Sequence, residues 1–330
     1  GCSKDPERKL FYKWVKDFIQ PVMEDDEADA EKAVNAYNTL KDNGMKVFIG
    51  TVTTGACLSV VSQTKADNMF QITPSASAAK VIANDNCFQV CFTDPNQGTA
   101  SADYITSKGL ATKVAVIYNS SDAYSSGIYD NFKAEAAAKG LDIVASEAFT
   151  GDSKQDFSSQ LSKVKASGAE LIFLPIYYQE ASLILSQAKN AGITAKFFGC
   201  DGLDGLLNIE NFDKSLAENV MLLTPFAANA TDETTKKFVA AYNAKYDPST
   251  LNQFAADAYD AVYVVKAAAE KAGITGDMSV SDICNALKGA MTEITVDGVT
   301  GSGMTWKATG EVNKEPKAVK IENGEYQPMD

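Results

Sequence analysis

Residues 161–174 read Leu-Ser-Lys-Val-Lys-Ala-Ser-Gly-Ala-Glu-Leu-Ile-Phe-Leu, and their pattern recurs along the chain. An amphipathic segment ends at Gly168, and a short continuous apolar run follows at residues 171–174. A glycine directly after a helix can adopt the left-handed conformation that caps it. Apolar runs without alternation are typical of strands that are covered on both faces. This stretch therefore predicts a helix followed by a buried strand of a parallel sheet.

The same succession of helix, glycine and strand appears at four other places. Its glycines are Gly44, Gly109, Gly140 and Gly192, and the strands that follow them are predicted at residues 45–49, 113–118, 141–145 and 195–198. Helices that alternate with parallel strands define the α/β fold class. Beyond about residue 225 the pattern changes to longer helices, predicted at residues 232–246, 252–272 and 279–290, and then to strand-like pieces at residues 303–307 and 318–321.

Composition limits the function classes that this chain can belong to. Its 330 residues favour two lobes, and its net charge of -13 disfavours nucleic acid and anionic membranes as partners. The sequence contains no histidine, which excludes Ser-His-Asp catalysis, HExxH zinc sites and histidine general bases. No run of 18 apolar residues is present, so we expect no membrane-spanning helix. We also predict no cofactor and no metal.

Six cysteines are present, and none belongs to a CxxC pair. Cys87 and Cys91 lie in one predicted strand, too far apart for a disulfide, so we expect buried free thiols. Free thiols indicate the cytosol or a disulfide-poor exterior. The opening pair Gly1-Cys2 has the form of a processed bacterial lipoprotein, which makes Cys2 a candidate for a lipid anchor; an accidental terminal pair is the alternative.

Two predicted strands in the first part of the chain end in turns rich in hydroxyl groups. These turns read Gly50-Thr-Val-Thr-Thr-Gly55 and Ile72-Thr-Pro-Ser-Ala-Ser77. Hydroxyls and backbone N–H groups at the start of a helix suit an anion such as a carboxylate. Successive βα turns face one crevice at the carboxyl ends of parallel strands. A simple helix cap is the alternative for each turn.

Strand ends in the second part of the chain offer aromatic rings and a carboxylate. They read Tyr118-Asn-Ser-Ser-Asp-Ala-Tyr-Ser-Ser-Gly127, Pro175-Ile-Tyr-Tyr178 and Gly199-Cys-Asp-Gly202. In a crevice, Asp201 would pair with an ammonium group, whereas a surface turn is its alternative. Hydroxyls, an acid and tyrosine faces together describe an α-amino acid ligand. Since no activated nucleophile is evident, we predict a binding protein and not an enzyme.

The first 29 residues contain two further features. Residues 9–20 have the spacing of an amphipathic helix, which would pack on the first lobe or face a partner or a membrane. Asp25-Asp-Glu-Ala-Asp29 lacks the glycine and spacing of an EF-hand loop. We expect this acidic segment to be a solvated turn that starts a helix.

From about Asp25 onward the chain resembles the type I periplasmic solute-binding proteins of ABC importers, in the branch that binds branched-chain amino acids. The motifs that carry the resemblance are Asp25-Asp-Glu-Ala-Asp29, Ile49-Gly-Thr-Val-Thr-Thr54, Ile72-Thr-Pro-Ser-Ala-Ser77, Phe92-Thr-Asp-Pro-Asn-Gln-Gly98, Asp156-Phe-Ser158 and Ala258-Tyr-Asp-Ala261. Each motif alone is weak, and their order and spacing make the match specific.

The resemblance implies two Rossmann-like lobes with central, mostly parallel sheets and three hinge crossings. Lobe 1 would comprise residues 1–93 and 226–300, and lobe 2 residues 94–225 and 301–330. The crossings would fall near residues 92–95, 223–225 and 300–303. Such proteins open with a strand, a glycine-rich turn and a long helix, which are not visible here. We therefore expect the first strand of lobe 1 to be missing or replaced, with a short strand at residues 22–24.

The resemblance also implies a binding site of six residues, which are Thr54, Ser75, Ser77, Tyr124, Tyr177 and Asp201. The two hydroxyls of Thr54 and Ser77, with the backbone of Ser75, would hold a ligand carboxylate. The aspartate would bind the ammonium, and the tyrosines would cover the ligand. The implied partner is the membrane permease of an ABC importer, reached from an extracytoplasmic location. A ligand-sensing receptor module and an enzyme on a similar α/β scaffold are the alternatives.

Overall fold

The computed structural model describes residues 22–329, and its first part builds a small parallel sheet. In chain order the elements are α1 (Ala30–Asp42), β1 (Phe48–Ile49), α2 (Thr54–Ala66), β2 (Gln71–Thr73) and β3 (Cys87–Gln89). The strands pair in the order β1-β2-β3, so β2 lies in the middle. No strand within the described residues pairs with the outer edge of β1.

The second part of the chain builds a seven-stranded sheet. Its elements are α3 (Asp94–Ser107), β4 (Lys113–Asn119), α4 (Ala123–Lys139), β5 (Asp142–Phe149), α5 (Ser158–Ser167), β6 (Leu171–Leu174), α6 (Tyr178–Asn190), β7 (Lys196–Gly199), β8 (Met221–Thr224), β9 (Lys317–Glu322) and β10 (Glu325–Pro328). The strand order is β10-β9-β8-β7-β6-β4-β5. Pairing is parallel from β8 to β5 and antiparallel at β8–β9 and β9–β10. The predicted α/β class is confirmed.

Three helices lie between β8 and β9, namely α7 (Glu233–Asn243), α8 (Gln253–Ala272) and α9 (Val280–Met291). Ala261 and Val264 of α8 share a buried apolar cluster with Phe70 and Ile72 of the small sheet. The chain therefore leaves the small sheet after β3, returns to it after β8, and ends in the large sheet. This creates two packed units, called here the small-sheet unit and the large-sheet unit.

Burial of both sheet faces explains the continuous apolar strands. All four residues of β6 are buried. Ile172 and Leu174 belong to one apolar cluster, whereas Leu171 and Phe173 belong to another, as expected for side chains that alternate between two covered faces.

The glycines that were predicted to end helices do so in the left-handed conformation. Gly140 caps α4 at φ 72° and Gly168 caps α5 at φ 71°. Gly44, Gly109 and Gly192 also have positive φ. Because glycine lacks a Cβ, it adopts this conformation without the strain that other residues suffer. The helix, glycine and strand pattern is confirmed.

Residues 304–312 pack on the small sheet. Met304, Trp306 and Val312 pack in the cluster of the small sheet, and the Trp306 indole N–H donates to the carbonyl of Gln89 at 2.8 Å. The buried indole holds residues 304–312 in the small-sheet unit, beyond the boundary expected at residue 301. The strand-like piece expected at residues 303–307 forms isolated β-bridges instead of a full strand, and β9 contains the piece expected at 318–321.

The start of the described chain differs from expectation in one respect. Val22 and Met23 are exposed, and residues 22–24 form no strand, so that prediction is wrong. Asp29 caps α1 with its side chain, as expected for the acidic turn. The helix predicted at residues 9–20 and the candidate anchor Cys2 lie outside the described residues.

The five cysteines of the described chain are buried and free, which confirms the prediction of unpaired thiols. They are Cys57, Cys87, Cys91, Cys200 and Cys284. Within residues 22–329, no helix has both the length and the apolar character needed to cross a membrane. The same residues contain no cluster of three or more cysteine or acidic side chains suited to a metal ion.

Candidate ligand-binding site

Two hydroxyl-rich turns meet at the carboxyl ends of β1 and β2. Thr53 precedes α2 in extended conformation, and Thr54 is buried at the start of the helix. The Thr54 hydroxyl accepts a hydrogen bond from the backbone N–H of Ser77 at 3.2 Å. The two predicted turns therefore lie side by side, as parallel strands with successive βα turns require.

Thr73 shapes the second turn. Its hydroxyl donates to the carbonyl of Thr51 at 2.6 Å and accepts from the N–H of Ala76 at 2.9 Å. This local pairing, typical of hydroxyl side chains in turns, leaves Ser75 and Ser77 buried just beyond the strand.

Two hydroxyl oxygens in these turns are buried without a hydrogen-bond partner among the described residues. They are the side-chain oxygens of Thr53 and Ser77. A buried polar group that lacks a partner costs roughly 1–3 kcal/mol, so native proteins rarely retain one without a function. Both oxygens are suited to a hydrogen-bonding ligand.

Across from the turns, Asp201 lies in a helical turn after β7 and is held by Tyr124. The Tyr124 hydroxyl donates to the Asp201 carboxylate at 2.6 Å and accepts from the N–H of Gly202 at 2.9 Å. A Cβ at position 202 would lie 2.6 Å from that hydroxyl, so glycine is required there. The rings of Tyr124 and Tyr177 stack at 4.7 Å between centroids.

Asp201 is buried, so ionisation of its carboxyl group costs free energy. Burial raises its pKa to about 6, and the hydrogen bond from the Tyr124 hydroxyl opposes this rise. Its own N–H donates to the Gln97 side chain at 3.2 Å. At neutral pH the carboxylate is therefore mostly ionised, and a cationic group would stabilise it.

Tyr177 lies near the acids of the site and near the backbone of Thr54. Burial raises its pKa, as do the nearby Asp122, Asp201 and Asp94 carboxylates, while the Thr54 backbone lowers it. Tyr177 follows β6 of the large sheet, and Thr54 follows β1 of the small sheet. The N–H of Asp94 donates to the Ser77 carbonyl and the Gln97 side chain accepts from the N–H of Asp201, so α3 links the hydroxyl-rich turns to Asp201. Thr54 contacts Ser77, Tyr124 contacts both Tyr177 and Asp201, and Ser75 lies in the same buried turn as Ser77.

The sequence interpretation overlooked Asp94, which also lies against the site. Its N–H donates to the carbonyl of Ser77 at 2.9 Å, and both carboxylate oxygens are buried without a partner in the described chain. Burial raises its pKa well above the usual range, and the Ser77 hydroxyl opposes that shift. Asp94 and Gln97 belong to the motif at residues 92–98, and this motif was the feature of the sequence that could have identified both as residues near the site.

A small cavity of about 20 Å³ adjoins Tyr177 at the carboxyl ends of β4, β5 and β6. Its lining residues include Asn119, Asp122, Ser125 and Glu180. The volume and polar lining fit a single water molecule. The wall of the site on this side is therefore polar as well as aromatic.

Two α/β units whose strand ends face each other, with hydroxyls on one side and an acid with two tyrosines on the other, define a two-lobed binding protein for a small polar ligand. The family described as periplasmic binding proteins matches residues 18–325. The chain belongs to this family. Membership implies an extracytoplasmic location, so the buried thiols fit a disulfide-poor exterior rather than the cytosol.

Curated relatives extend over most of the chain. The Leu/Ile/Val-binding protein homolog 3 of Brucella melitensis is 32% identical over 256 residues, which cover 77% of this chain and 68% of that protein. The leucine-, isoleucine-, valine-, threonine- and alanine-binding protein of Pseudomonas aeruginosa is 28% identical over 271 residues, with 81% and 71% covered. Both relatives are named for binding an amino acid rather than for a reaction.

Solved structures share the fold. The leucine-binding protein LivK of Thermotoga maritima superposes with a TM-score of 0.82 at 25% identity, covering 93% of this chain and 85% of that one. The branched-chain amino acid substrate-binding protein LivJ of Streptococcus pneumoniae, in complex with isoleucine, gives a TM-score of 0.80 at 27% identity and the same coverage.

Proposed function

We propose that this chain is the extracytoplasmic substrate-binding component of an ABC importer and captures leucine, isoleucine or valine. The observation that carries the proposal is the buried site that extends from the Ser77 and Thr54 hydroxyls to the Asp201 carboxylate. The hydroxyl end of the site suits the carboxylate of an amino acid, and the Asp201 end suits its ammonium group. The names of the relatives support the choice of a branched aliphatic ligand.

In the proposed complex, Thr54, Ser77 and the backbone of Ser75 bind the ligand carboxylate. Asp201 binds the ammonium, and the faces of Tyr124 and Tyr177 lie against the aliphatic side chain. None of these groups is arranged to attack or to transfer a proton, which fits capture and release rather than turnover.

We propose that the small-sheet and large-sheet units move as lobes 1 and 2. The hinge would include the crossings near residues 92–95 and 223–225, and a third crossing between residues 312 and 317. Ligand binding would stabilise the closed arrangement, and the permease would recognise the closed form. We also propose Cys2 as the site of a lipid anchor, to be tested by mass spectrometry of the membrane-associated protein.

Isothermal titration calorimetry with the twenty amino acids tests the proposed function. The protein is first unfolded and refolded to remove any ligand that co-purifies. Tight binding of leucine, isoleucine or valine would support the proposal. If the refolded, ligand-free protein has a cooperative unfolding transition but binds none of the twenty, the proposal is wrong. Chemical conversion of a bound compound would favour the enzyme alternative.

Replacing Ser77 by alanine should weaken leucine binding without destabilising the fold. The Ser77 hydroxyl makes no hydrogen bond in the described chain and only lies close enough to Asp94 to lower its pKa, so its removal should cost the folded state little. A lost hydrogen bond to the ligand carboxylate is worth roughly 1–3 kcal/mol, or about 5- to 150-fold in Kd. Thr54→Ala combined with Ser77→Ala should weaken binding further, and it should also lower the Tm because Thr54 accepts from Ser77.

The control for this pair of variants is Ser182→Ala in α6. The Ser182 hydroxyl donates only to the carbonyl of Gln179 in its own helix. Titration calorimetry should give the same Kd for this variant and the original protein. A Ser77→Ala protein with unchanged affinity would exclude the Ser77 hydroxyl as a ligand contact.

Ligand affinity should fall as the pH drops below about 6. The ammonium needs an ionised Asp201, whose pKa burial raises to about 6 in the free protein. Since ligand binding favours the ionised form, affinity should decrease by about tenfold per pH unit below that value. Binding near pH 6 should also release protons, and this release should disappear at pH 8. Calorimetry in buffers of different ionisation enthalpy measures both effects, and a constant Kd from pH 5 to 8 would contradict the role of Asp201.

A further inference from the structure

One face of α8 carries three polar side chains that are completely buried. They are Gln253, Asp257 and Asp260, at spacings of four and three residues, so they lie along one side of the helix. Burial of such groups is costly unless each has hydrogen-bond partners. The partners therefore show what this face of α8 holds in place.

Gln253 contacts three different points of the large-sheet unit. Its backbone N–H donates to the Asp204 carboxylate at 2.8 Å, and its side-chain amide donates to the backbone carbonyl of Asp201 at 2.5 Å. The oxygen of the same amide accepts from the Thr224 hydroxyl at 3.3 Å. Asp201 and Asp204 follow β7, and Thr224 ends β8. A residue at the start of α8, which packs on the small sheet, thus binds the segment that carries Asp201.

Asp257 and Asp260 fix the helix that carries Gln253. Asp260 accepts from the N–H groups of Val299 and Thr300, both at 2.8 Å, and from the Thr300 hydroxyl at 2.6 Å. Asp257 forms a buried ion pair with Lys314 at 3.3 Å. Both partners lie on the chain that leads back to β9. The start of α8 is therefore anchored where the two units join.

Asp201 is held from three helices, and only one of these belongs to the small-sheet unit. Tyr124 of α4 binds its carboxylate, and Gln97 of α3 accepts from its N–H. Both helices pack on the large sheet. Gln253 of α8, in the small-sheet unit, donates to the backbone carbonyl of Asp201. This hydrogen bond joins the two units directly.

We propose that Gln253 is a positioning residue that joins Asp201 to α8 and keeps the two units closed around a bound amino acid. The inference rests on the proposed function, since it assigns Asp201 to the ligand ammonium. We infer that opening of the two units breaks this hydrogen bond, so that it stabilises the closed arrangement without affecting the first encounter with the ligand. Its loss should therefore speed ligand release and leave ligand capture unchanged.

Gln253→Met tests this proposal by stopped-flow measurement of leucine binding. Methionine has nearly the same length and keeps the backbone hydrogen bond to Asp204, while both side-chain hydrogen bonds disappear. We expect the dissociation rate to rise by about tenfold, in line with a lost buried hydrogen bond. The association rate should stay within about twofold of that of the original protein.

The matched control is Gln187→Met in α6. The Gln187 side chain also makes two hydrogen bonds, accepting from the N–H of Phe157 at 2.7 Å and donating to the carbonyl of Gln155 at 2.9 Å. These groups all belong to the large-sheet unit. The control should lower the Tm and leave both rate constants for leucine unchanged. A variant that damaged only the fold would behave like this control.

Equal dissociation rates in Gln253→Met and Gln187→Met would overturn the positioning role. If Gln253→Met does not fold, Thr224→Val replaces it, since it removes the hydroxyl that bonds to Gln253 and to the backbone of Phe226 and leaves Gln253 itself in place. Faster dissociation in Thr224→Val would support the proposal, and an unchanged rate would overturn it. If the original protein binds no amino acid, the proposed function itself is wrong. Failure of the proposed function can therefore be distinguished from failure of the Gln253 role alone.

Discussion

Asp201→Asn should abolish amino-acid binding and, at pH 7, make the protein harder to unfold. The amide has nearly the same shape as the carboxylate and can still accept the hydrogen bond from Tyr124. It carries no charge to pair with the ligand ammonium in a buried site. Charge-assisted hydrogen bonds are roughly twice as strong as neutral ones, and an ammonium buried without a counter-charge is strongly disfavoured. We expect no measurable binding at millimolar leucine.

The gain in stability follows from the pKa of Asp201. Burial raises this pKa from 3.8 to about 6, so the folded protein holds the proton more tightly than the unfolded chain does. Stability from the protonated acid is present below about pH 4 and is lost as the pH rises through about 6. At pH 7 the ionised carboxylate therefore costs the folded state about 3 kcal/mol, which the uncharged amide avoids.

Thermal unfolding at pH 7 and pH 4 checks this prediction. Asp201→Asn should have the higher Tm at pH 7, and the difference should shrink at pH 4. Asp247→Asn is the control, because the N–H of Ser249 lowers the pKa of this exposed carboxyl, and its replacement should not raise the Tm. Leucine binding by Asp201→Asn, or a lower Tm at pH 7, would show that Asp201 is not a strained, ligand-directed acid.

Local patterns in the sequence were sufficient to predict most of the architecture. Gly140 and Gly168 mark helix ends because the left-handed conformation is a property of the residue itself. The apolar run at residues 171–174 indicates a strand covered on both faces because each face needs its own apolar side chains. Thr54, Ser77 and Asp201 follow predicted strands, and they lie near one another in the structure because successive βα turns meet at the carboxyl ends of parallel strands.

Contacts between distant segments could not be predicted in the same way. Gln253 occupies the first position of a helix, where a polar residue is ordinary, and only its partners after β7 and β8 reveal its role. Lys314 has the sequence context of a surface lysine but is buried against Asp257. Trp306 draws its segment into the small-sheet unit by a hydrogen bond to Gln89, more than 200 residues earlier. Such pairings depend on the assembled fold and leave no periodic signal.

Gly98→Ala should destabilise the protein severely, because α3 and α4 touch at this residue. A Cβ at position 98 would lie 2.5 Å from the carbonyl oxygen of Ile128 and 2.7 Å from the backbone nitrogen of Phe132. Both atoms belong to the backbone of α4, so no side-chain rotation can relieve the clash. Extra volume in a packed interior costs about 1–3 kcal/mol, and we expect the free energy of unfolding to fall by roughly the upper value or more.

Gly289→Ala in α9 is the matched control for this substitution. The same methyl group is added inside a helix, and nothing lies within 4 Å of the new atom. Alanine is favoured over glycine in a helix interior by about 0.5–1 kcal/mol, so urea denaturation should show a gain in stability. The two substitutions are thus expected to have opposite signs. Stability of Gly98→Ala equal to that of the original protein would mean that α3 and α4 lie farther apart than described here.

The effect of Gly98→Ala should extend to ligand binding. Gln97, the preceding residue, accepts from the N–H of Asp201, and α4 begins beside Tyr124, which binds the carboxylate. Moving α3 and α4 apart therefore disturbs two of the three contacts that hold Asp201. In the fraction that still folds, leucine affinity should fall, whereas Gly289→Ala should leave it unchanged. Calorimetry at a temperature where both variants are folded separates this effect from the loss of stability. A lower affinity under these conditions would show that the close packing at Gly98 supports the position of Asp201 as well as the fold.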